Sequence, residues 1–260
     1  MNSTAKNVAQ HFQLLLFDLD DTLWPSRPVL ENAEYKTYAW LEQHAPRLTA
    51  KFSLSEMFKH RVELFRQQTI AEHRVSEMRQ TAYRLLAESA GYSETEAALI
   101  AQSAFDYFFE LRQQVACYDD VEQNLRALHG NIILGALSNG NADLARIPIG
   151  KYFSFAIAAE ELPHGKPHPS AFHAALQEAG KVAGIDIERN KVVHIGDDLD
   201  RDIAGARGAG LRAIWLDRKG EASAAPLEIS DAPAVDGCHA RIRSLDALAD
   251  ALAKLRPENG

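Results

Sequence analysis

A chain of 260 residues with 46% hydrophobic content is long enough to bury one large core or two smaller ones. Its net charge of −8, with no basic cluster anywhere, excludes the positive face that nucleic acids or anionic membranes require. No stretch approaches the ~18 apolar residues of a membrane span, and residues 1–13 lack the basic and apolar segments of a signal peptide, so the expectation is a cytoplasmic protein without membrane or nucleic-acid partners.

The first predicted element is Leu14-Leu15-Leu16-Phe17, an unbroken apolar run that reads as a strand covered on both faces. It stops on Asp18-Leu19-Asp20-Asp21-Thr22, where an extended chain would send the Asp18 and Asp20 side chains to the same side. Trp24-Pro25 then leaves the strand as a turn. Carboxylates at the C-terminal end of a parallel strand fall where open α/β sheets place their ligands.

From about residue 29 to 115 the pattern becomes helical, rich in Glu, Gln, Arg, Ala and Leu and poor in Gly and Pro. Apolar residues recur at helical spacing at Tyr35, Tyr38 and Leu41, at Phe58, Val62 and Phe65, and at Met78, Ala82, Leu85 and Leu86. A fourth helix opens with the acidic turn Ser93-Glu94-Thr95-Glu96 and carries Ile100, Ala104, Phe105, Phe108, Phe109 and Leu111 on its apolar side. This region reads as a helical bundle inserted after the first strand.

Strands and helices alternate beyond residue 119. A helix over 121–128 precedes a strand at 132–137. A strand at 154–159 and a loop at 162–169 lead to a helix over 170–180. A strand at 191–195 is followed by a helix from 199 to 208 or 210, a strand at 211–216, a polar loop over 217–236 and a closing helix from 244 to 255. Such alternation predicts an α/β fold, a Rossmann-like parallel sheet with helices on both faces, carrying an all-helical insertion. The predicted division is a core of residues 1–25 and 116–260 with a helical domain of residues 26–115. Cys117 and Cys238 have no metal-ligand spacing and read as buried thiols in a reducing compartment. No feature of the sequence sets an oligomeric state.

Four predicted strand ends carry groups suited to a phosphate: Asp18 with Asp20; Ser138-Asn139-Gly140; Gly165-Lys166-Pro167; and Gly196-Asp197-Asp198 with Asp200 and Asp202 close behind. A carboxylate such as Asp18 can attack phosphorus and carry the phosphoryl group covalently. Its repulsion from an anionic ester calls for a divalent cation, and Mg2+ takes oxygen ligands, for which Asp18 and Asp197 are natural candidates. Asp20 is placed to protonate the leaving oxygen and then to deprotonate the attacking water. Ser138, the Asn139 backbone and Lys166, with Leu19 beside the nucleophile, are the candidates to hold the phosphoryl oxygens.

These segments, in this order, resemble the haloacid dehalogenase superfamily phosphatases. Phe17-Asp18-Leu19-Asp20-Asp21-Thr22 matches the first motif, Leu137-Ser138-Asn139 the second, Lys166 the third, and Gly196-Asp197-Asp198-Leu199-Asp200-Arg201-Asp202 the fourth. The resemblance implies that residues 26–115 are a mobile cap. It also implies that Asp18 is both nucleophile and Mg2+ ligand, that Asp20 reaches the ion through its backbone carbonyl and that Asp197 completes the protein ligands. Asp202 would support the ion through water, with Asp198 beside it. Hydrolytic dehalogenases of the superfamily lack the acid/base Asp, so Asp20 favours a phosphatase acting on a small-molecule phosphate ester. Ser26-Arg27-Pro28-Val29, Asn139-Gly140-Asn141-Ala142, Gly150-Lys151-Tyr152-Phe153 and Gly196-Asp197-Asp198-Leu199 further resemble a bacterial branch that dephosphorylates FMN and the ribitylaminouracil phosphate of riboflavin synthesis. The alternatives are a phosphomutase or dehalogenase on the same scaffold, or a silent phosphate-binding module. Trp24, Arg27 and Tyr35 are further candidates to face the substrate, whereas His194 reads as a core histidine.

Overall fold

The computed structural model describes residues 10–67, 70–219, 227–229 and 240–255. The chain divides into two compact units, one of residues 1–25 and 116–260 and one of residues 26–115.

The first unit opens with β1 (Leu14–Phe17), whose four side chains are all fully buried. Each such apolar side chain contributes roughly 1.5–3 kcal/mol by leaving water, which explains why this short run can anchor the centre of the sheet.

Among its described residues the second unit contains five α-helices: α1 (Ser26–His44), α2 (Pro46–Lys51), α3 (Leu54–Arg66), α4 (Val75–Ser89) and α5 (Glu94–Arg112). Four were expected. The additional one, α2, begins at Pro46, whose ring suits a first helical turn but cannot continue the helix before it. Ser53 and Ser93 start α3 and α5 with reciprocal capping boxes to Glu56 and Glu96.

The buried stripe of α1 is Val29, Ala33, Thr37 and Leu41, while Tyr35 is 68% exposed. In α3 Met57 and Leu64 face inward, and Phe58 and Phe65 are exposed. The apolar faces therefore do not centre on Tyr35, Phe58 and Phe65 as expected: rows of smaller side chains spaced by four in α1, and Met57 and Leu64 in α3, make the contact. Met78, Ala82 and Leu86 of α4, and Ala104, Phe108 and Leu111 of α5, are buried as their spacing predicts.

Returning to the first unit, the chain forms α6 (Val121–Leu128), β2 (Ile133–Ser138), β3 (Phe155–Ala158), α7 (Pro169–Ala183) and β4 (Val192–Gly196). A widened helical turn (Leu199–Ala204) runs into the short α8 (Gly205–Gly208), then come β5 (Arg212–Leu216), β6 (Leu227–Ile229), β7 (Ala240–Ile242) and α9 (Leu248–Lys254). The sheet order is β3-β2-β1-β4-β5-β7-β6, parallel except for β6, which runs antiparallel to β7. β6 interrupts what was expected to be a polar loop, and β7 was likewise unforeseen; three-residue strands leave too little pattern to read. Cys238 lies outside the described residues, and Cys117 is half-buried rather than buried. Among the described residues no helix is long and apolar enough to cross a membrane.

β2 and β4 flank β1 in parallel, so the chain leaves β1 and β4 at the point where strand order reverses. Crevices at such reversals, outside the carboxyl ends of the strands, are the ligand sites of open α/β sheets.

An ion pair between Arg218, just after β5, and Asp120, just before α6, also engages the turn after β1. Arg218 donates both terminal nitrogens to Asp120 at 3.1 Å and its Nε to the Thr22 carbonyl at 2.8 Å. Ser244 Oγ and the Leu245 N–H, each at 2.7 Å, complete the Asp120 carboxylate. Burial alone would raise the Asp120 pKa, but these donors hold it below the usual carboxylate range. Asp120→Ala is expected to lose about 3 kcal/mol or more in chemical denaturation near neutral pH, because Arg218 is left buried and unpaired. A depressed folded-state pKa stabilises above the ordinary carboxylate range and fades below it, so the gap from wild type should narrow in acid. A loss within experimental error at neutral pH would refute the assignment.

Candidate active site

The carboxyl ends of β1 and β4 and the loop before α7 converge on one buried ammonium group. Lys166 Nζ donates to Asp18 Oδ1 and to Asp202 Oδ1, each at 2.6 Å, and all three side chains are buried. Asp18 follows β1 directly, its N–H donating to the Ile195 carbonyl of β4 at 2.9 Å. Lys166 is held through its own peptide groups: its N–H donates to Asn139 Oδ1 at 2.9 Å, and Asn139 Nδ2 donates to its carbonyl at 2.7 Å. Asn139 therefore clamps the lysine loop with its side chain.

Asp202 comes from the widened turn after β4, where the Ile203 N–H reaches back five residues to the Asp198 carbonyl at 3.2 Å. This extra residue in the turn brings Asp202 inward. Its Oδ1 also contacts His194 Nε2 at 2.9 Å, and its Oδ2 accepts the Asp198 N–H at 3.1 Å. Asp198 spends its own Oδ1 on the N–H groups of Asp200 and Arg201, at 2.9 and 2.8 Å, and so acts as the cap of this turn. A Cβ at Gly196 would run into the Asp202 carboxyl group, which explains a glycine at the end of β4.

Asp197, half-buried, accepts Thr22 Oγ1 on Oδ1 at 3.2 Å, and its carbonyl accepts Trp215 Nε1 at 2.9 Å. Oxygen atoms of Asp18, Asp197 and Asp202 lie within 4.8 Å of one another. The Asp20 carboxylate stands outside this trio and accepts Trp24 Nε1 at 2.9 Å. Asp21 takes up the left-handed conformation, φ 59°, that closes the turn, with its N–H donating to the Trp24 carbonyl at 2.7 Å. Ser138 is buried, its Oγ accepting the Gly140 N–H at 3.0 Å, and Leu19 is buried in the turn after β1.

Trp24, a candidate to face the substrate, is instead fully buried and holds Asp20. Arg27 is exposed and paired with Glu31 at 2.7 Å. Thr22, Trp215 and Arg218 also support the site. Thr22 stood inside the recognised motif; the other two act on backbone carbonyls distant in sequence and give no local signal.

The electrostatics show what this cluster lacks. Burial pushes the Asp18 pKa well above its usual value, Lys166 pulls it down, and the charges of Asp202 and Asp197 push it up again. Burial, then Asp202 and Asp21, raise Asp197 to about 6. Burial would also raise Asp202, but Lys166 and His194 hold it well below the carboxylate range. Lys166 stays firmly protonated, because its two carboxylates outweigh the effect of burial. Burial lowers His194, leaving it neutral at physiological pH. A second cation beside Asp18 and Asp197 would relieve the remaining repulsion, and their oxygen-only donor set fits a hard divalent ion. Asp202 is already committed to Lys166, His194 and the Asp198 N–H, so Asp18 and Asp197 are the carboxylates that fit as ligands.

With this geometry in view, the haloacid dehalogenase-like hydrolase family model matches residues 12–210. The chain belongs to that family of hydrolytic enzymes. Among known proteins it is 28% identical to the Escherichia coli 5-amino-6-(5-phospho-D-ribitylamino)uracil phosphatase YigB over 78% of this chain and 82% of that one. It is 28% identical to the phosphoserine phosphatase of Thermus thermophilus over 79% and 89% of the two chains. Among solved structures, the 2-haloacid dehalogenase from Pseudomonas syringae pv. Tomato DC3000 superposes with a TM-score of 0.80 at 35% identity, covering 94% of this chain and 99% of that one.

Replacing Lys166 with Met should leave the Asp18 and Asp202 carboxylates facing each other without their shared cation. In chelator the variant is expected to lose about 3–5 kcal/mol near pH 7.5. The unpaired acids would have raised folded-state pKa values, so stability should recover as the pH falls toward about 5. An equal loss at both pH values would contradict the charge arrangement.

Proposed function

We propose that the protein is a Mg2+-dependent phosphomonoester hydrolase that works through a phosphoryl group carried on Asp18. The observation that supports this reading best is the Asp18 carboxylate at the topological switch point, touching Lys166 and grouped with Asp197. In this reading an Asp18 oxygen forms a bond to phosphorus while the bond from phosphorus to the ester oxygen breaks. Asp20 gives its proton to that leaving oxygen and takes one back from the water that later attacks the phosphoryl group. Lys166, the Ser138 hydroxyl and the backbone N–H groups of Leu19 and Asn139 neutralise charge on the phosphoryl oxygens. Asp18, Asp197 and the Asp20 carbonyl, with Asp202 and Asp198 behind them, would hold Mg2+, which would supply positive charge to offset the repulsion between carboxylate and phosphate.

Residues 26–115 are proposed as the cap that selects the leaving group. The proposed substrate is FMN or the ribitylaminouracil phosphate of the riboflavin pathway, handled in the cytoplasm. The YigB relative and the local sequence matches to that branch support this choice. The similarity to the Pseudomonas syringae protein supports a second reading, hydrolytic dehalogenation. A departing halide needs no proton, whereas an alkoxide does, and Asp20, held by Trp24, provides one.

Phosphate release should depend on Mg2+, stop with chelator and be strongest with the riboflavin-pathway esters. Asp18→Asn should abolish it while leaving the thermal transition intact. Halide release from a 2-haloacid, with no phosphate release from any ester, would instead establish the second reading. Because Asp197 holds a proton up to about pH 6 in the metal-free protein, acid competes with the cation. Added Mg2+ should therefore raise the melting temperature clearly near pH 7.5 and little near pH 5. An upward shift of equal size at both would argue against Asp197 as a ligand.

A further inference from the structure

His194 occupies a position where an apolar residue would be the default. It stands in β4 among Val192, Val193 and Ile195, all fully buried, and pairs in register with Leu16 of β1 and Ala213 of β5. Its ring is also fully buried and meets Phe172 of α7 edge to face, with centroids 5.2 Å apart and an interplanar angle of 89°. A valine or leucine would fill this space without the cost of burying an imidazole. The ring instead directs Nε2 at Asp202 Oδ1, the oxygen that also accepts Lys166 Nζ. An ionised carboxylate only accepts hydrogen bonds, so the imidazole hydrogen must be on Nε2.

Asp202 is thus gripped from three directions: by Lys166 from the loop before α7, by His194 from β4 and by the Asp198 N–H from the turn that follows β4. Lys166 has two carboxylate contacts, and Asp202 is the one that does not take part in bond making. With the Lys166 backbone held by Asn139, the position of Asp202 Oδ1 therefore helps to set where Nζ sits relative to Asp18. Without a donor on the β4 side, the carboxylate can turn about its Cβ–Cγ bond and carry the ammonium with it. Displacements of about 1 Å at such a group can cost on the order of 100-fold in rate.

We propose that His194 is a positioning residue: its hydrogen bond to Asp202 fixes the carboxylate that aims Lys166 at the phosphoryl group on its way to Asp18. The inference rests on the reading of Asp18 and Lys166 as the phosphate-cleaving pair. His194→Leu keeps apolar bulk in the core but removes the donor, whereas His194→Gln offers an amide N–H at nearly the reach of Nε2.

Both variants would be assayed beside wild type for Mg2+-dependent phosphate release, with thermal unfolding recorded in parallel. The expected result is a kcat about 10–100-fold lower for His194→Leu, with KM changed less than about twofold, and recovery of most of that loss in His194→Gln. Wild-type kcat in folded His194→Leu would overturn the inference and leave the phosphatase reading standing. Equal losses in the two variants, or a loss that tracks melting temperature, would reduce His194 to a packing residue. If His194→Leu does not fold, His194→Gln decides alone: near-normal kcat supports the role, and a loss of 10-fold or more overturns it. Failure of wild type to release phosphate from any ester would overturn both readings together.

Discussion

A single ammonium group, Lys166 Nζ, lies between the buried carboxylates of Asp18 and Asp202, and the surrounding backbone is built to keep it there. Charges removed from water are tolerable only when paired at close range and further hydrogen-bonded. Each partner here meets that condition through a different segment. Asp18 is fixed by the end of β1, Lys166 by the Asn139 clamp, and Asp202 by His194 and the turn after β4. The sheet order makes this convergence possible by setting β1 between β2 and β4.

Those charges also define the chemistry open to the site. Lys166 and His194 together hold Asp202 ionised, whereas burial raises Asp18 in spite of Lys166, and Asp197 adds a third carboxylate a few ångströms away. The arrangement therefore favours an anionic ligand only alongside a further cation. Phosphoryl transfer requires the same thing, because a carboxylate attacking a phosphate ester must approach a group of its own charge sign. A carbon–halogen bond makes a weaker demand, and this difference in leaving group separates the two chemistries that similar proteins represent.

Much of this was legible in the sequence because the relevant signals are local. An unbroken apolar run ending on Asp18 reads as a covered strand that stops at a polar edge, and the polar tripeptide at Ser138 and the Asp-rich segment after Ile195 follow their strands in the same way. The less legible features depend on partners far apart in the chain. Nothing near Trp215 indicates that its indole will meet the Asp197 carbonyl, and nothing near Arg218 indicates the Thr22 carbonyl. His194 looked like core because its neighbours are core; only the widened turn brings Asp202 to it. In the helical unit, conspicuous aromatics at Tyr35 and Phe58 masked quieter stripes of alanine, valine and leucine.

The central claim is that Asp18 carries the phosphoryl group, and rapid acid quenching during turnover of a phosphate ester, followed by peptide mass spectrometry, tests it most directly. The account predicts a phosphoryl group on the peptide that contains Asp18, appearing only in the presence of Mg2+ and missing from Asp18→Asn. A phosphoryl group on any other peptide, or brisk phosphate release with no labelled peptide at the earliest quench times, would contradict it.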